Sequence, residues 1–306
     1  MNAIKIISVV ACVALLNPSV SSIDVDKNLH NKCLYPTVLI EDVVSTNDGS
    51  KLKCLGSGSG VIVKSQKVGN SWHNLVLTCD HVVDLEPTKA AIKQRFGVEP
   101  KVGVVVKVAR YKDWSRFVKY DSYKAHVYSQ FPKGDMALLL FRSKHKMPVA
   151  ELALNEKLYI GNEILKVGCG LGDLPRVEYG RITSLNPICE EFYKGCIRMS
   201  AHTIYGDSGG PVFRNGRVIG LASSIRVMGF NTPVFNMGYF QPSSTRIPAW
   251  NKKEKNGLQF IYKERPLPVI PFIQLELDNL QYKDLCPQNR WHKEIAEQQD
   301  QVVEVI

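Results

Sequence analysis

A serine enclosed by glycines is the part of this sequence with the clearest chemical potential. Residues 205–212 read YGDSGGPV and place Ser208 at the centre of a glycine-rich turn. A nucleophilic serine needs an exposed hydroxyl and nearby backbone amides that can hold the oxyanion of a tetrahedral intermediate. Because glycine can adopt conformations that aim an amide at the reacting atom, we expect the amides of Gly206 and Ser208 to form this oxyanion hole.

A serine used in this way also needs a base and a carboxylate. His81 comes shortly after the apolar run 75–77, and Asp135 directly precedes the apolar run 136–140. A histidine takes the hydroxyl proton, while a carboxylate fixes the tautomer of the histidine and stabilises its imidazolium. His81, Asp135 and Ser208 are therefore predicted to form a catalytic triad for acyl transfer, for which we predict no metal and no cofactor.

The elements that position these residues are predicted to be β-strands. Short β-branched or apolar runs alternate with turn formers such as Asn215-Gly216, and this spacing favours a barrel or sandwich over βαβ units. The runs lie at 37–44, 60–64, 74–78, 102–108, 136–141, 163–167, 180–185, 211–213 and 218–222. Helical character is expected only in a turn around 83–85 and in the polar stretch 290–301.

Taken in chain order, these motifs resemble the chymotrypsin-like (trypsin-like) serine protease superfamily, most closely its Deg/HtrA-type branch. The resemblance covers about residues 35–244 and includes a glycine-serine strand at 56–63 and two last strands at 218–222 and 236–242. It implies an all-β fold of two perpendicular six-stranded antiparallel β-barrels with the active site between them. His81 and Asp135 would come from the first barrel, and Ser208 from the second.

The sequence differs in two respects from the families that it resembles. Deg/HtrA proteins usually carry PDZ domains, whereas residues 251–306 are too short for one and lack its glycine-rich carboxylate-binding loop. The start of the chain also lacks the Ile-Val-Gly-Gly activation sequence of digestive relatives. Asp207 nevertheless matches the residue that pairs with the new N-terminus in those enzymes.

Composition divides the chain into four predicted segments. Residues 1–22 combine Lys5, a short apolar run and a small-residue end, the pattern of a signal peptide cleaved after Ser22, with an uncleaved anchor as the alternative. The N-terminal barrel is expected at 23–145, the C-terminal barrel at 146–250, and a C-terminal extension at 251–306. The mature chain is predicted to have no transmembrane domain and to be secreted or extracytoplasmic, hence periplasmic in a bacterium.

Seven cysteines follow the predicted signal peptide, and an exported protein can form disulfides. An odd number leaves at least one thiol unpaired within a monomer. Cys189 and Cys196 flank a predicted hairpin loop, which favours a disulfide between them. Two unlinked thiols are the alternative.

The chain is basic, with a formal net charge of +10. The densest basic stretch, 107–126, interleaves lysine and arginine with aromatic residues, a composition that can support stacking of nucleic-acid bases. The alternative is a solvated pair of strands with the polar side chains outside. We expect no nucleic-acid partner because no nucleic-acid-binding motif accompanies the charge.

The primary specificity pocket is expected from the resemblance, beside the nucleophile and on the strand after it. The predicted lining residues are His202, Thr203, Ser223 and Ile225. None is acidic, so the pocket offers no partner for lysine or arginine, and Ile225 should make it shallow. We expect cleavage after small or medium apolar residues, with acidic residues as the alternative if a protonated His202 lies at the base.

These observations predict a secreted serine endopeptidase that acts on protein or peptide substrates through an acyl-enzyme on Ser208. The alternative is a catalytically weak binding protein that keeps the protease fold and uses its basic surface for nucleic acid or anionic surfaces.

Overall fold

The first half of the chain closes into a six-stranded barrel. The structure, a computed structural model, describes residues 27–45, 52–97, 100–185, 195–228 and 232–253. Antiparallel pairing joins the first six strands in the order β1-β2-β3-β6-β5-β4. They are β1 (Thr37–Ser45), β2 (Leu52–Val68), β3 (Ser71–Thr78), β4 (Val102–Lys112), β5 (Arg116–Phe131) and β6 (Met136–Ser143).

The second half forms another ring of six strands. Its order is β11-β8-β9-β10-β13-β12, and pairing between β11 and β12 closes the ring, while β7 runs parallel to β12 at its side. The strands are β7 (Glu151–Leu152), β8 (Glu163–Gly168), β9 (Arg176–Ser184), β10 (Ile197–Met199), β11 (Pro211–Arg214), β12 (Arg217–Met228) and β13 (Thr232–Pro242). The predicted all-β fold of two six-stranded barrels is confirmed.

Helices occupy only short connections and the last described segment. The described helices are α1 (Lys27–Leu29), which runs into a π-helical turn at His30–Leu34, α2 (Asp80–Val83), α3 (Glu86–Phe96) and α4 (Ser243–Lys253). Single 3-10 turns lie at Pro132–Gly134 and Gly170–Gly172. No helix in the described ranges is both long and apolar enough to cross a membrane.

Helix α3 differs from the sequence-based expectation of a single turn near 83–85. It begins with Pro87 in its first turn and ends at Gly97, whose φ of +66° is typical of a helix C-terminus. None of its residues that the structure describes is fully buried, so the helix has no apolar stripe to reveal it in the sequence. The second predicted helix, 290–301, lies outside the described residues.

One apolar core runs through both barrels. It joins Val76 of the first barrel to Phe213 and Leu221 of the second. Trp250 of α4 is fully buried, and its ring stacks on that of Phe131 with 6.0 Å between the centroids. Helix α4 follows the last strand of the second barrel and packs on β12 and β13, while Trp250 reaches Phe131 of the first barrel, so the helix ties the two barrels together.

The basic and aromatic stretch at 107–126 forms the β4–β5 hairpin. Several of its rings pack on one another and on Tyr35, which stacks on Tyr111 at 5.5 Å and on Trp114 at 6.3 Å. Lys107 of this stretch is not solvated: its side chain is buried, and its Nζ lies 2.6 Å from Oε1 of Glu41. The aromatic residues are thus engaged within the fold.

The predicted disulfide is only half covered by the described residues. Cys196 is buried and forms no disulfide with any other cysteine that the structure describes, whereas Cys189 lies outside the described residues. A bridge between them therefore stays a prediction.

Candidate active site

Pairing of strands β3 and β6 explains why His81 and Asp135 meet. Strand β3 ends at Thr78, which lies opposite Ala137 near the beginning of β6. His81 follows β3 in the short helix α2, and Asp135 directly precedes β6. The parts of these strands at 75–77 and 136–141 are buried and apolar, and the core fixes their register, so the histidine and the aspartate are held at the same end of the barrel.

Asp135 receives hydrogen bonds from the histidine and from the second barrel. His81 Nδ1 lies 2.8 Å from Asp135 Oδ1, and the His81 amide donates to the same oxygen at 3.2 Å. The hydroxyl of Ser223 donates to Asp135 Oδ2 at 2.5 Å. Contact with Nδ1 leaves Nε2 of the half-exposed His81 ring for a proton transfer.

The pKa shifts of His81 and Asp135 favour an ionised aspartate beside the histidine. Burial lowers the pKa of His81, but the hydrogen bond and the negative charge of Asp135 outweigh it and raise the pKa above 6.5. Burial has the opposite effect on Asp135, yet its bonds to His81 and Ser223 bring its pKa below 3.8. At neutral pH Asp135 is ionised and stabilises the imidazolium form of His81.

Ser208 lies on a tight turn between β10 and β11 that contacts both barrels. Its hydroxyl donates to the carbonyl of Ser223 at 3.2 Å, so the same residue touches Ser208 and Asp135. The next residue, Gly209, has a φ of +83°, and a Cβ there would lie 2.1 Å from the carbonyl oxygen of Ser59. Only glycine fits this turn, which supports the functional interpretation of the glycine-rich motif.

Ser59 of strand β2 fastens the serine turn to the first barrel. Its amide donates to the Ser208 carbonyl at 2.7 Å. Its hydroxyl donates to the carbonyl of Gly206 and accepts from the amide of Cys169, both at 2.7 Å. Ser59 is fully buried, so these bonds are shielded from water.

The backbone amides of the turn divide into two groups. Asp207 and Gly210 donate within the turn, and Gly209 donates to the carbonyl of Ala222 at 2.7 Å. The amides of Gly206 and Ser208 have no acceptor among the residues that the structure describes. These are the two amides that the sequence predicted for the oxyanion hole.

The predicted pocket residues lie on two neighbouring segments of the second barrel. Ile225 of β12 is paired with Gly238 of β13, and a Cβ on Gly238 would lie 2.4 Å from the hydroxyl oxygen of Thr203. Thr203 is buried and His202 is half-buried. Gly238 therefore packs against one of the predicted pocket residues, a contact that the sequence analysis did not single out.

Three side chains at the site could in principle share a metal ion. Ligand atoms of Cys79, His81 and Asp135 lie within 4.8 Å of one another. Burial, the largest influence, raises the pKa of the Cys79 thiol well above 9.0, and Asp135 and His81 already bond to each other. A metal would have to break that bond, so the cluster is better explained as the histidine–aspartate pair.

Several residues at the site were missed or given another role by the sequence analysis. Ser223 was expected only in the pocket, Ser59 only as part of a resembling strand, and Lys166 not at all. Lys166 contacts Asp207 within the second barrel. These interactions join residues far apart in the chain, and no local motif reveals them.

Comparison with known proteins agrees with this architecture. The family model of the trypsin-like peptidase domain matches residues 58–221, which is more than half of the chain. An Arabidopsis thaliana protein named as the protease Do-like 14 is 24% identical over 236 residues, 71% of this chain and 49% of that protein. Two DegP-like proteins of Pseudomonas putida, named as periplasmic serine endoproteases, are 30% (strain W619) and 29% (strain GB-1) identical over 130 residues, 41% of this chain and 26% of theirs.

The chain thus spans half or less of the length of these relatives. The resemblance to the Deg/HtrA type of chymotrypsin-like serine protease is confirmed, and this chain belongs to the trypsin-like peptidase domain family.

Proposed function

We propose that this chain is a secreted serine endopeptidase that hydrolyses peptide bonds through an acyl-enzyme on Ser208. The observation that carries the proposal is the pair of amides at Gly206 and Ser208, which have no acceptor among the described residues. They belong to the turn that Ser223 links to the His81–Asp135 pair. Amides of this kind, fixed beside a serine hydroxyl, suit the charge of a tetrahedral intermediate.

The first half of the reaction forms the acyl-enzyme. The Ser208 hydroxyl turns from the Ser223 carbonyl towards His81, and Oγ attacks the scissile carbonyl carbon while its proton passes to His81 Nε2. The oxyanion accepts hydrogen bonds from Gly206 and Ser208. The C–N bond then breaks, and His81 gives its proton to the leaving amine.

The second half of the reaction uses the same groups on a water molecule. His81 takes a proton from the water, whose oxygen attacks the ester on Ser208. Collapse of the second intermediate releases the carboxylic acid and returns the proton to Ser208. Asp135 remains ionised throughout and stabilises each imidazolium form of His81.

Replacement of the nucleophile tests the proposal. Ser208→Ala should abolish cleavage of casein and labelling by a fluorophosphonate probe, while the circular dichroism spectrum stays that of the parent. The loss should be several orders of magnitude, as it is when a triad member is removed from related enzymes. A parent protein that is neither labelled nor active would instead be a binding protein that keeps the protease fold.

Substrate preference follows from the pocket, and we propose cleavage after small or medium apolar residues. The described residues at the pocket include His202, Thr203, Ser223 and Ile225, of which none is acidic. A peptide library read by mass spectrometry should therefore show alanine, valine or leucine before the cleaved bond. Dominant cleavage after arginine or lysine would refute this preference, and dominant cleavage after glutamate would assign the pocket base to His202.

Secretion is proposed from the first residues of the chain and from the relatives. The predicted signal peptide would leave a mature chain that begins at Ile23. The Pseudomonas putida relatives are named as periplasmic, which supports an extracytoplasmic location. N-terminal sequencing of the protein from its native host should find Ile23, and a chain that still begins at Met1 would refute cleavage.

A further inference from the structure

A buried ion pair stands directly beside the serine turn. The Lys166 ammonium contacts Oδ2 of Asp207, the residue before Ser208, and neither side chain is exposed to solvent. Lys166 lies on β8 of the second barrel. Burial of two charges is costly unless their geometry is good and their remaining hydrogen-bonding groups are satisfied, so this pair needs a reason to be present.

Hydrogen bonds to Oδ2 of Asp207 hold the residue and the turn that it belongs to. Oδ2 also accepts the amide of Ile204 at 2.9 Å. Two positions after Lys166 on the same strand, Gly168 makes room for the carboxylate, because a Cβ there would lie 2.3 Å from Asp207 Oδ1. The ion pair therefore anchors residues 204–207 to β8.

We propose that Lys166 is the positioning residue of the oxyanion hole, because its ammonium holds Asp207 and thereby the turn that carries the amides of Gly206 and Ser208. This inference rests on the proposed function of Ser208. The positive charge comes from a side chain of the barrel itself. The turn is therefore competent without a charge from a newly cut N-terminus.

Lys27 and Asp207 lie in different surroundings. The Nζ of Lys27 lies 5.6 Å from the centre of the Trp114 ring. Trp114 is at the tip of the β4–β5 hairpin, on the first barrel. Asp207, by contrast, is fully buried and already contacts an ammonium.

A matched pair of lysine variants tests the role of Lys166. Lys107 is also buried and ion-paired, with Glu41 in the first barrel, and is the control. Lys166→Met and Lys107→Met should both lower Tm. Only Lys166→Met should lower kcat, by about 10²-fold as for loss of one oxyanion donor, with KM within about twofold of the parent. Equal loss of kcat in both variants would overturn the inference.

A double variant keeps the test decisive if Lys166→Met does not fold. Lys166→Met with Asp207→Asn removes the uncompensated buried charge, so it should regain the folded state while kcat stays at least about tenfold below the parent. A double variant with parental kcat would overturn the positioning role of Lys166. Retained activity in Ser208→Ala would overturn the proposed function instead, so the two failures are distinguishable.

The chain terminus supplies an independent test. The parent protein with a glycine-serine extension ahead of Ile23 should have the same kcat before and after enzymatic removal of the extension. A rise in kcat of tenfold or more on removal would overturn the inference, because an α-amino group would then be the partner of Asp207.

Discussion

Ser59 is predicted to couple catalysis to the contact between the barrels. Ser59→Ala removes the hydroxyl that bonds the Gly206 carbonyl and the Cys169 amide, both at 2.7 Å. The buried Cys169 amide left unpaired costs roughly 1–3 kcal/mol, and the partly buried Gly206 carbonyl about 0.5–1.5 kcal/mol. The free energy of unfolding should therefore fall by about 1.5–4.5 kcal/mol, which lowers Tm by several degrees.

Loss of the hydrogen bond between the Ser59 hydroxyl and the Gly206 carbonyl should also raise the free energy of the transition state. Without this bond, the turn that carries the amides of the oxyanion hole is held less firmly. If about 1.4 kcal/mol of that restraint acts on the transition state, kcat falls about tenfold. Unfolding in denaturant measures the stability. Steady-state hydrolysis of a peptide ester measures kcat, at a temperature below Tm and with a correction for the folded fraction.

Ser143 provides the matched control for this prediction. It is a buried serine of the same barrel whose hydroxyl donates to the His145 carbonyl at 2.6 Å and accepts from Asn74 Nδ2 at 2.9 Å. Ser143→Ala should be destabilised to a similar extent but keep its kcat. If Ser59→Ala also keeps the parental kcat, the proposed coupling between Ser59 and the oxyanion turn is refuted.

Three other perturbations test the site and the fold. Asp135 raises the pKa of His81 despite burial, and only the neutral form of His81 is a base. The acid limb of a plot of kcat/KM against pH should therefore have its midpoint above pH 6.5, and a lower midpoint would contradict this. Gly209→Ala should destabilise the protein and abolish activity. Gly161 has a similar φ of +88° but open space around it. Gly161→Ala should therefore lower the free energy of unfolding in urea by about 1–2 kcal/mol and keep its activity. Trp250→Ala should lower the free energy of unfolding by about 3–5 kcal/mol, and a loss below about 1 kcal/mol would show that α4 does not tie the barrels.

The parts of the fold that could be predicted are those with local apolar patterns. The run 136–141 is entirely apolar, and the structure buries it within strand β6. The residue pattern predicted β2 only at 60–64, because glycine and serine have little strand propensity, and the family resemblance extended it to 56–63. The strand runs over Leu52–Val68. Position 58 requires a glycine because of a residue distant in the chain: a Cβ there would lie 2.5 Å from the side chain of Val82.

The candidate site was predictable only as far as its motifs reach. Ser208, His81 and Asp135 each stand in a recognisable local setting. Lys166 lies in a predicted strand, but a lysine is ordinarily expected to face solvent, and only the fold shows that it meets Asp207. Ser223 likewise gains its bond to Asp135 from a residue 88 positions earlier in the chain.

The position of Trp250 on α4 has a consequence for the order of biosynthesis. The strands that hold His81 and Asp135 leave the ribosome first, the turn with Ser208 follows, and the helix that ties the barrels comes last. At about 5–20 residues per second, roughly 6–23 s separate synthesis of Asp135 from that of Trp250. If the proposed function is correct, this order of synthesis delays assembly of the catalytic site until nearly all of the two barrels has been translated.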